Sequence, residues 1–428
     1  LEPASAGWRA GGKRIAMNLE VDGDRLVTEI DKLASISDAA PPAVTRIVFT
    51  PTDLKARAWL IALCQKSGLA IRQDPIGNIF ARWTGSDPSA PAVGTGSHID
   101  AIPNAGKYDG VVGVLGSLEA IRALQRAGFR AKNSIELLVF TSEEPTRFGI
   151  GCLGSRLLSG TLSADAARKL VDKEGLSLDQ VRSNAGYNAP LAEVKLPHGY
   201  YKAFVELHIE QGPLLEQKQI PLGIVTSIAA PATLHISIEG AGGHAGAALM
   251  PGRKDALCAA AELILAVETA ARTSGALDTV ATVGICEVFP GAVNSIPSRV
   301  QLTVDIRDTN LDRRDTAMRE IEAARQAITT KRQVSIREEL VNADAPAQCS
   351  PAIVEVLSLA CLKYQLPNLP MVSRAYHDSL FMSRIAPVAM LFIPCRNGYS
   401  HRPDEYASPN DIARGVLVLA EALAVLAA

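Results

Sequence analysis

Four short clusters carry residue types from which hydrolytic or metal chemistry is built. The first, Gly96-Ser97-His98-Ile99-Asp100, follows the apolar run AVGT. A histidine ending a buried strand, with a carboxylate two residues on, is how a metal-binding imidazole acquires the group that orients it. The second half of this cluster, Lys107-Tyr108-Asp109-Gly110, directly precedes a helical pattern, so Asp109 is either a ligand or that helix's N-cap. Next, Phe140-Thr141-Ser142-Glu143-Glu144-Pro145 ends the strand-like run SIELLVF. Adjacent buried carboxylates repel unless a cation or a shared proton intervenes. In a hydrolase such a pair can divide labour between ligand and general base, whereas in solvent it merely starts a loop. In Glu206-Leu207-His208-Ile209-Glu210-Gln211-Gly212-Pro213, a period of two places Glu206, His208 and Glu210 on one strand face, too polar for a core. Finally, Ser400-His401-Arg402-Pro403-Asp404-Glu405 follows the strand pattern AMLFIP and a glycine-containing loop. Together, His98, Asp109, Glu144, His208 and His401 form a nitrogen and oxygen donor set suited to two borderline metals such as Zn²⁺ or Mn²⁺, with one carboxylate bridging. Paired metals activate water and polarise a carbonyl or phosphoryl oxygen.

These clusters need a scaffold that brings distant strand ends together. Helical patterns near 53–68 and 110–127 alternate with apolar strand runs at 92–97, 134–141 and 202–208. That order implies a mostly parallel sheet with helices on both faces, which places ligands at the carboxyl ends of its strands. Residues 161–200 are expected to be a helical insertion with surface loops. From about 225 the pattern changes. Runs at 222–228, 232–239, 279–288 and 299–307 alternate apolar and polar residues, with amphipathic helices near 252–273 and 311–331 between them. This predicts an inserted α+β sandwich over 226–340, splitting an α/β catalytic domain into 18–225 and 341–428. A helix at 351–364, a strand at 388–394 and a helix at 410–427 complete the larger domain.

The 428 residues are 47% apolar, enough for substantial cores, and 43 Lys+Arg against 45 Asp+Glu leave a net charge of −2. That balance excludes the basic stripe of a nucleic-acid binder. No apolar run approaches the roughly 18 residues that span a bilayer, so no membrane partner is expected. Seven cysteines lie singly with no C-x-x-C pair, which suits a reducing compartment and a cytoplasmic location, with the endoplasmic reticulum lumen as the alternative. Cys258 and Cys361 are expected to be small buried residues of helices. Residues 1–17 lack the apolar stretch of a secretory signal and are left out of the fold.

Two further segments fall in the inserted unit. Gly240-Ala241-Gly242-Gly243-His244-Ala245-Gly246 is a glycine-rich turn presenting one histidine, without the strand–loop–helix setting of a nucleotide site. Asn294 in PGAVNSIPS and Arg307 in DIRD can reach a ligand, Arg307 having the planar fork that suits a carboxylate. Otherwise Asn294 is a turn residue and Arg307 a strand-end charge.

In this order, H-x-D, K-Y-D-G, T-S-E-E, E-L-H-I-E-Q-G-P, G-G-H-A-G, N-S-I-P, D-I-R-D and S-H-x-P-x-E resemble the M20-type metallopeptidase and amidohydrolase family, from about residue 25 to the C-terminus. The nearer likeness is to its carbamoylase branch, which acts on N-carbamoyl amino acids, allantoate and ureidoglycolate. SEEPTRFGIGCLGSRLL (142–158) and SRAYHDSLFMSR (373–384) look most like the ureidoglycolate-cleaving members. The other members resemble S-G-A-G-H-D-A in the second stretch, where this chain has Arg374 and Tyr376, and a tyrosine there fills space.

The resemblance implies an aminopeptidase-like catalytic domain with an inserted dimerisation and lid domain. It would make His98 and His208 terminal ligands of one metal, Asp109 the bridge, and Glu144 and His401 the remaining ligands of a second. Asp100 would orient His98. Glu143 would be the general base, and His244 would reach the partner subunit's site to stabilise an oxyanion. Gln211, Asn294, Arg307, Tyr376 and His377 would hold the substrate, Arg307 on its carboxylate. The implied cofactors are two divalent metals, Mn²⁺ first, with Zn²⁺, Co²⁺ or Ni²⁺ as alternatives. The implied assembly is a homodimer whose lid closes on hinges near 225 and 340. The expected reaction hydrolyses the ureido bond of (S)-ureidoglycolate to glyoxylate, ammonia and CO₂ in ureide catabolism. Allantoate and N-carbamoyl-L-amino acids are the alternative substrates. His198 and His235 match no motif.

Overall fold

The computed structural model describes residues 18–428; residues 1–17, and the expectation that they carry no secretory signal, lie outside the described residues. A nine-stranded sheet organises the larger part of the chain. At its centre, Val388–Ile393, Tyr201–Ile209, Ala92–His98 and Ile135–Phe140 run parallel in that spatial order. Each is buried over nearly its whole length, which is why they read as continuous apolar runs rather than alternating ones. The flanks are antiparallel. Ile79–Trp83 and Ala70–Gln73 extend one side, and Leu222–Ile228 pairs against Val388–Ile393 on the other. The sheet is therefore mixed around a parallel centre.

Its two faces are covered differently, as the strand period requires. Leu137 and Val139 point into a core built with helices Gly23–Ala34, Val111–Arg126, Pro351–Lys363 and Pro409–Ala427, while Leu138 and Phe140 point into a second core with Leu153–Ser159. The stretch 161–200 supplies short helices Ala164–Ala167 and Leu178–Asn184, capped by Ser163 and Ser177. Among the described residues no helix is long and apolar enough to cross a membrane.

The smaller sheet has four antiparallel strands, in the order Val280–Phe289, Arg299–Asp308, Ala230–Glu239 and Ser335–Ala343. Helices Ala256–Arg272 and Leu311–Arg332 share one core with Leu234, Ile236, Val300, Leu302, Val304 and Ile306 of its two central strands. Two expectations change here. Leu222–Ile228 belongs to the large sheet, because it is buried on both faces and pairs parallel with Asn368–Ser373. Cys258 is exposed, whereas Cys361 is buried; all seven cysteines are free.

The chain thus passes between sheets just after Ile228 and returns just after Ala343. At the return, Arg156 of helix Leu153–Ser159 grips the Asp344 carboxylate with two hydrogen bonds of 2.8 and 2.5 Å. Arg314, from the small unit, donates to the Asp344 carbonyl, and Arg384 to that of Ala345.

Arg46 is fully buried and bonds carbonyls instead of a carboxylate: Leu33 O and Ile99 O at 2.6 Å, and Ile36 O at 2.9 Å. Burial pulls its pKa down to about 10 against the opposing pull of Asp53, Asp100 and Asp38. Ile99 lies between His98 and Asp100, so this clamp shapes the turn that presents both. We expect Arg46→Met to lower unfolding free energy by about 2–4 kcal/mol in urea titrations, since several carbonyls lose their donors. Arg46→Lys should recover part of the loss. A Met variant within about 0.5 kcal/mol of the parent would refute the clamp.

Candidate metal centre

Four adjacent parallel strands end at one place, and each delivers a donor there. His98 ends its strand, His208 is the penultimate residue of Tyr201–Ile209, Glu143 and Glu144 follow Ile135–Phe140, and His401 lies on the loop after Val388–Ile393. Asp109 meets them from the turn before helix Val111–Arg126. It does not cap that helix: the N-cap is Gly110, at φ 65°, with no side-chain cap hydrogen bond.

The two oxygens of Asp109 face different partners. Oδ1 lies 3.4 Å from His98 Nε2 and 3.2 Å from His208 Nε2. Oδ2 lies 3.4 Å from His401 Nε2, which is itself 3.2 Å from Glu144 Oε1. His98, Asp109 and His208 thus offer donor atoms within 4.8 Å of one another, as do Asp109, Glu144 and His401. A third such group, Glu206, His208 and His377, shares His208. His98 Nδ1 is 3.0 Å from Asp100 O and His208 Nδ1 is 2.9 Å from Ile209 O. With Nδ1–H donating to those carbonyls, a neutral ring would present its Nε2 lone pair to a cation, whereas without one a protonated ring donates Nε2–H to Asp109. Gly110 N–H also donates to His208 Nε2 at 3.1 Å, as expected of an acceptor.

The charge balance points to cations. Asp100, Asp109, Glu143, Glu144, Glu206, Asp378 and Glu405 are all buried. Among the described residues none of these seven pairs with a lysine or arginine. Burial raises Glu143 well above the ordinary carboxyl range, helped by Glu144, Asp378 and Asp109 and opposed by His98. Burial likewise lifts Asp378, with Glu206 adding to it, and pushes Asp100 to about 6 and Glu405 to about 7. For Asp109 burial works the other way from its partners, and the imidazoles of His208, His401 and His98 win, holding it well below its usual value. His401 is raised to about 11 by Asp109 and Glu144. Three imidazoles and two carboxylates in two groups sharing Asp109 fit a pair of divalent cations, which would supply the positive charge this cluster lacks.

Surrounding bonds hold the donors. The Asp100 carboxylate accepts from Glu143 N–H at 3.2 Å and Glu144 N–H at 3.0 Å, so it fixes the carboxylate pair as well as lying beside His98. Glu405 Oε1 accepts from Tyr108 N–H and Asp109 N–H at 2.8 and 3.0 Å. Ser400 Oγ and Gln211 Nε2 donate to Asp109 Oδ2 at 2.5 and 2.6 Å. Ser142, Cys152, Gln211 and His401 have left-handed φ of 56°, 55°, 55° and 60°. Each costs of the order of 1–3 kcal/mol, a strain that clusters at functional sites.

Other expected residues are placed unequally. Gln211 Oε1 is buried without a hydrogen-bond partner among the described residues. His377 is buried with its ring 4.5 Å from that of His208, and burial keeps it well below its usual pKa. Tyr376 closes against the loop after Glu144: a Cβ on Gly151 would lie 2.2 Å from the Tyr376 hydroxyl. Arg307 reaches this wall, its guanidinium 6.0 Å from the Tyr376 ring centre and 3.2 Å from Arg374 O, while pairing with Asp305 at 2.7 Å. Asn294 and His244 stand apart and exposed: His244 pairs with Ser295 on a short ladder, and Asn294 directly precedes it. Among the described residues neither side chain bonds to the buried cluster. His198 and His235 are exposed.

Several participants escape sequence reasoning. Ser400 and Glu405 flank His401 in S-H-R-P-D-E, and their proximity is the available signal. Glu206 stands out only as a polar strand position; it accepts from Ser97 Oγ at 2.7 Å and Ser379 Oγ at 2.6 Å. Glu210 instead caps the next helix, accepting from Leu214 and Leu215 N–H. Asp378 takes a 2.5 Å bond from Ser155 Oγ, and Cys152 touches Glu143; neither has a local signal.

Comparison with known proteins adds three findings. The sequence profile of peptidase family M20/M25/M40 matches residues 94–425. A ureidoglycolate hydrolase from Arabidopsis thaliana is 51% identical over 97% of this chain and 89% of its own length, whereas an N-carbamoyl-L-amino acid amidohydrolase from Geobacillus stearothermophilus is 36% identical over 93% and 97%. The crystal structures of AtUAH with glyoxylate and with (S)-hydroxyglycine superpose with TM-score 0.86 at 51% identity, covering 96% of this chain and 98% of theirs.

Chelation of the purified protein should lower Tm by about 3–6 °C, and added divalent cation should restore it, as expected for ions bound only by the folded state. In Gly110→Ala the added Cβ falls 2.5 Å from His98 Nε2 at a left-handed φ, and the cation-dependent rise should disappear. A Tm indifferent to chelator and cation would rule out the centre.

Proposed function

The chain belongs to peptidase family M20/M25/M40, a metal-dependent hydrolase family, and we propose that it hydrolyses the ureido C–N bond of (S)-ureidoglycolate, yielding glyoxylate, ammonia and CO₂. The observation that carries the chemistry is the divided Asp109 carboxylate, with Glu143 Oε2 only 3.8 Å from His98 Nε2. Asp109 would be shared between two cations, His98 and His208 holding one with it and Glu144 and His401 the other. Two divalent ions bound there, Mn²⁺ by preference, would supply Lewis acidity toward the ureido carbonyl and a nearby water. Asp100 keeps His98 and the Glu143–Glu144 pair in register.

Glu143 acts as the general base. Its raised affinity for protons suits a group that takes a proton from water and then delivers it to the leaving nitrogen. Release of the first ammonia leaves a carbamate that loses CO₂, and the resulting hydroxyglycine collapses to glyoxylate and a second ammonia. Hydroxyglycine and glyoxylate are both species found in complexes of the similar AtUAH, which supports their place on this route. Gln211 Oε1 offers an acceptor for a ureido N–H, His377 contributes a neutral imidazole, and Arg307 takes the substrate carboxylate bidentately. Tyr376, seated against Gly151, narrows the wall and favours a small ureide over allantoate.

The smaller unit, between the crossings after Ile228 and Ala343, serves as the dimerisation and lid domain. Supporting this, its edge strand Val280–Phe289 leaves Ile285 and Phe289 exposed, an edge that a second copy would cover. His244 Nδ1 accepts from Gly246 and Ala247 N–H at 3.2 Å, which leaves the proton on Nε2. That tautomer suits an oxyanion donor reaching, with Asn294, the site of the partner subunit.

With Mn²⁺ present, ammonia release should be much faster from (S)-ureidoglycolate than from allantoate or an N-carbamoyl-L-amino acid; preference for allantoate would overturn the substrate assignment. Glu143→Gln should reduce kcat by about 10²–10⁴ at unchanged metal content. Wild-type turnover in that variant would remove Glu143 as the base.

A further inference from the structure

Beside the proposed base lies a buried thiol that the hydrolysis itself does not consume. Cys152 is fully buried, and its Sγ is 3.4 Å from Glu143 Oε1. Among the described residues no other side chain donates a hydrogen bond to that carboxylate. The other oxygen, Oε2, is the one that faces His98.

The backbone is bent to make this contact. Cys152 adopts φ 55°, a left-handed conformation that disfavours any residue with a Cβ. In return its N–H donates to Glu143 O at 2.7 Å, and the next two amides, Leu153 and Gly154, donate to Ser142 O and Thr141 O at 2.9 and 2.8 Å. Three consecutive amides therefore grip the loop carrying the base. Ser155 Oγ lies 3.2 Å from Cys152 O and 2.5 Å from Asp378 Oδ1, securing the bend from its other side. Gly151 is equally constrained, since a Cβ there would meet Glu143 O at 2.9 Å as well as the Tyr376 hydroxyl.

Burial and the neighbouring Glu143 and Asp378 carboxylates raise the Cys152 thiol well above its usual pKa, so it stays protonated and serves as a donor, neither a nucleophile nor a metal ligand. We propose that Cys152 is a positioning residue for the base: its S–H donates to Glu143 Oε1 and reserves Oε2 for the proton exchanged with water and leaving group. This rests on the assignment of Glu143 as base. Loss of the S–H frees the carboxylate to rotate, so both oxygens compete for the productive position and turnover falls without loss of substrate binding.

Two variants and one spectrum test this. Cys152→Ala should lower kcat about tenfold with KM and metal content within about twofold, and Cys152→Ser, whose hydroxyl still donates, should recover most of the activity. Unchanged kcat in Cys152→Ala, or equal losses in both variants, would overturn the proposal. The infrared S–H stretch, isolated as the difference between wild type and Cys152→Ser, should lie at the low-frequency end of the thiol range. It should move upward in Glu143→Gln, because an amide is the weaker acceptor. A band insensitive to Glu143→Gln would overturn the proposal even if Cys152→Ala failed to fold. Full activity in Glu143→Gln with the band still shifted would instead defeat the base assignment and leave the hydrogen bond standing.

Discussion

A single carboxylate placed among three imidazoles is the constraint on which the site depends. Asp109 contributes one oxygen to the His98–His208 side and the other to the His401–Glu144 side. Such sharing requires the ends of four neighbouring parallel strands and one helix-preceding turn to meet within a few ångströms. The parallel centre of the large sheet provides that convergence, because parallel neighbours end on the same side. The antiparallel flanks carry none of the proposed metal-binding side chains and complete the sheet.

The same concentration of carboxylates makes the site costly to fold. Buried acids without basic partners are tolerated through protons, hydroxyls, backbone amides or cations. Ser97 and Ser379 serve Glu206, Ser155 serves Asp378, and backbone amides serve Asp100 and Glu405. Left-handed residues add backbone strain at the same place. Local stability has therefore been given up around Glu143 and Asp109, and the surrounding cores and the Arg46 clamp must compensate.

Much of this is legible in the sequence because His98 and His208 sit at the ends of apolar strands and His401 on the loop that follows one, so residue type and position reinforce one another. Asp109 is ambiguous from local sequence, since a cap and a ligand both precede a helix; the left-handed Gly110 settles that it is no cap. Leu222–Ile228 reads as part of the smaller sheet because Gly223, Thr226 and Ser227 imitate polar alternation in a strand buried on both faces. Cys258 shows the converse, an apolar-looking residue on the exposed side of its helix. His244 and Asn294 take their proposed roles from resemblance, and among the described residues nothing brings their side chains to the buried cluster. Cys152 and Asp378 leave no local trace because their partners are distant in sequence or reached only through a backbone bend.

The passage between the two sheets is not a slack tether. Arg156, which holds Asp344 at the return crossing, also donates to Gly151 O at 2.9 Å and stacks over Phe381 at 4.1 Å. Gly151 adjoins Cys152 and touches Tyr376. Rotation of the smaller unit about this crossing must therefore either break a buried ion pair or drag the Gly151–Cys152 bend with it. A change in domain orientation would thus be felt at the bend that holds Cys152 against Glu143.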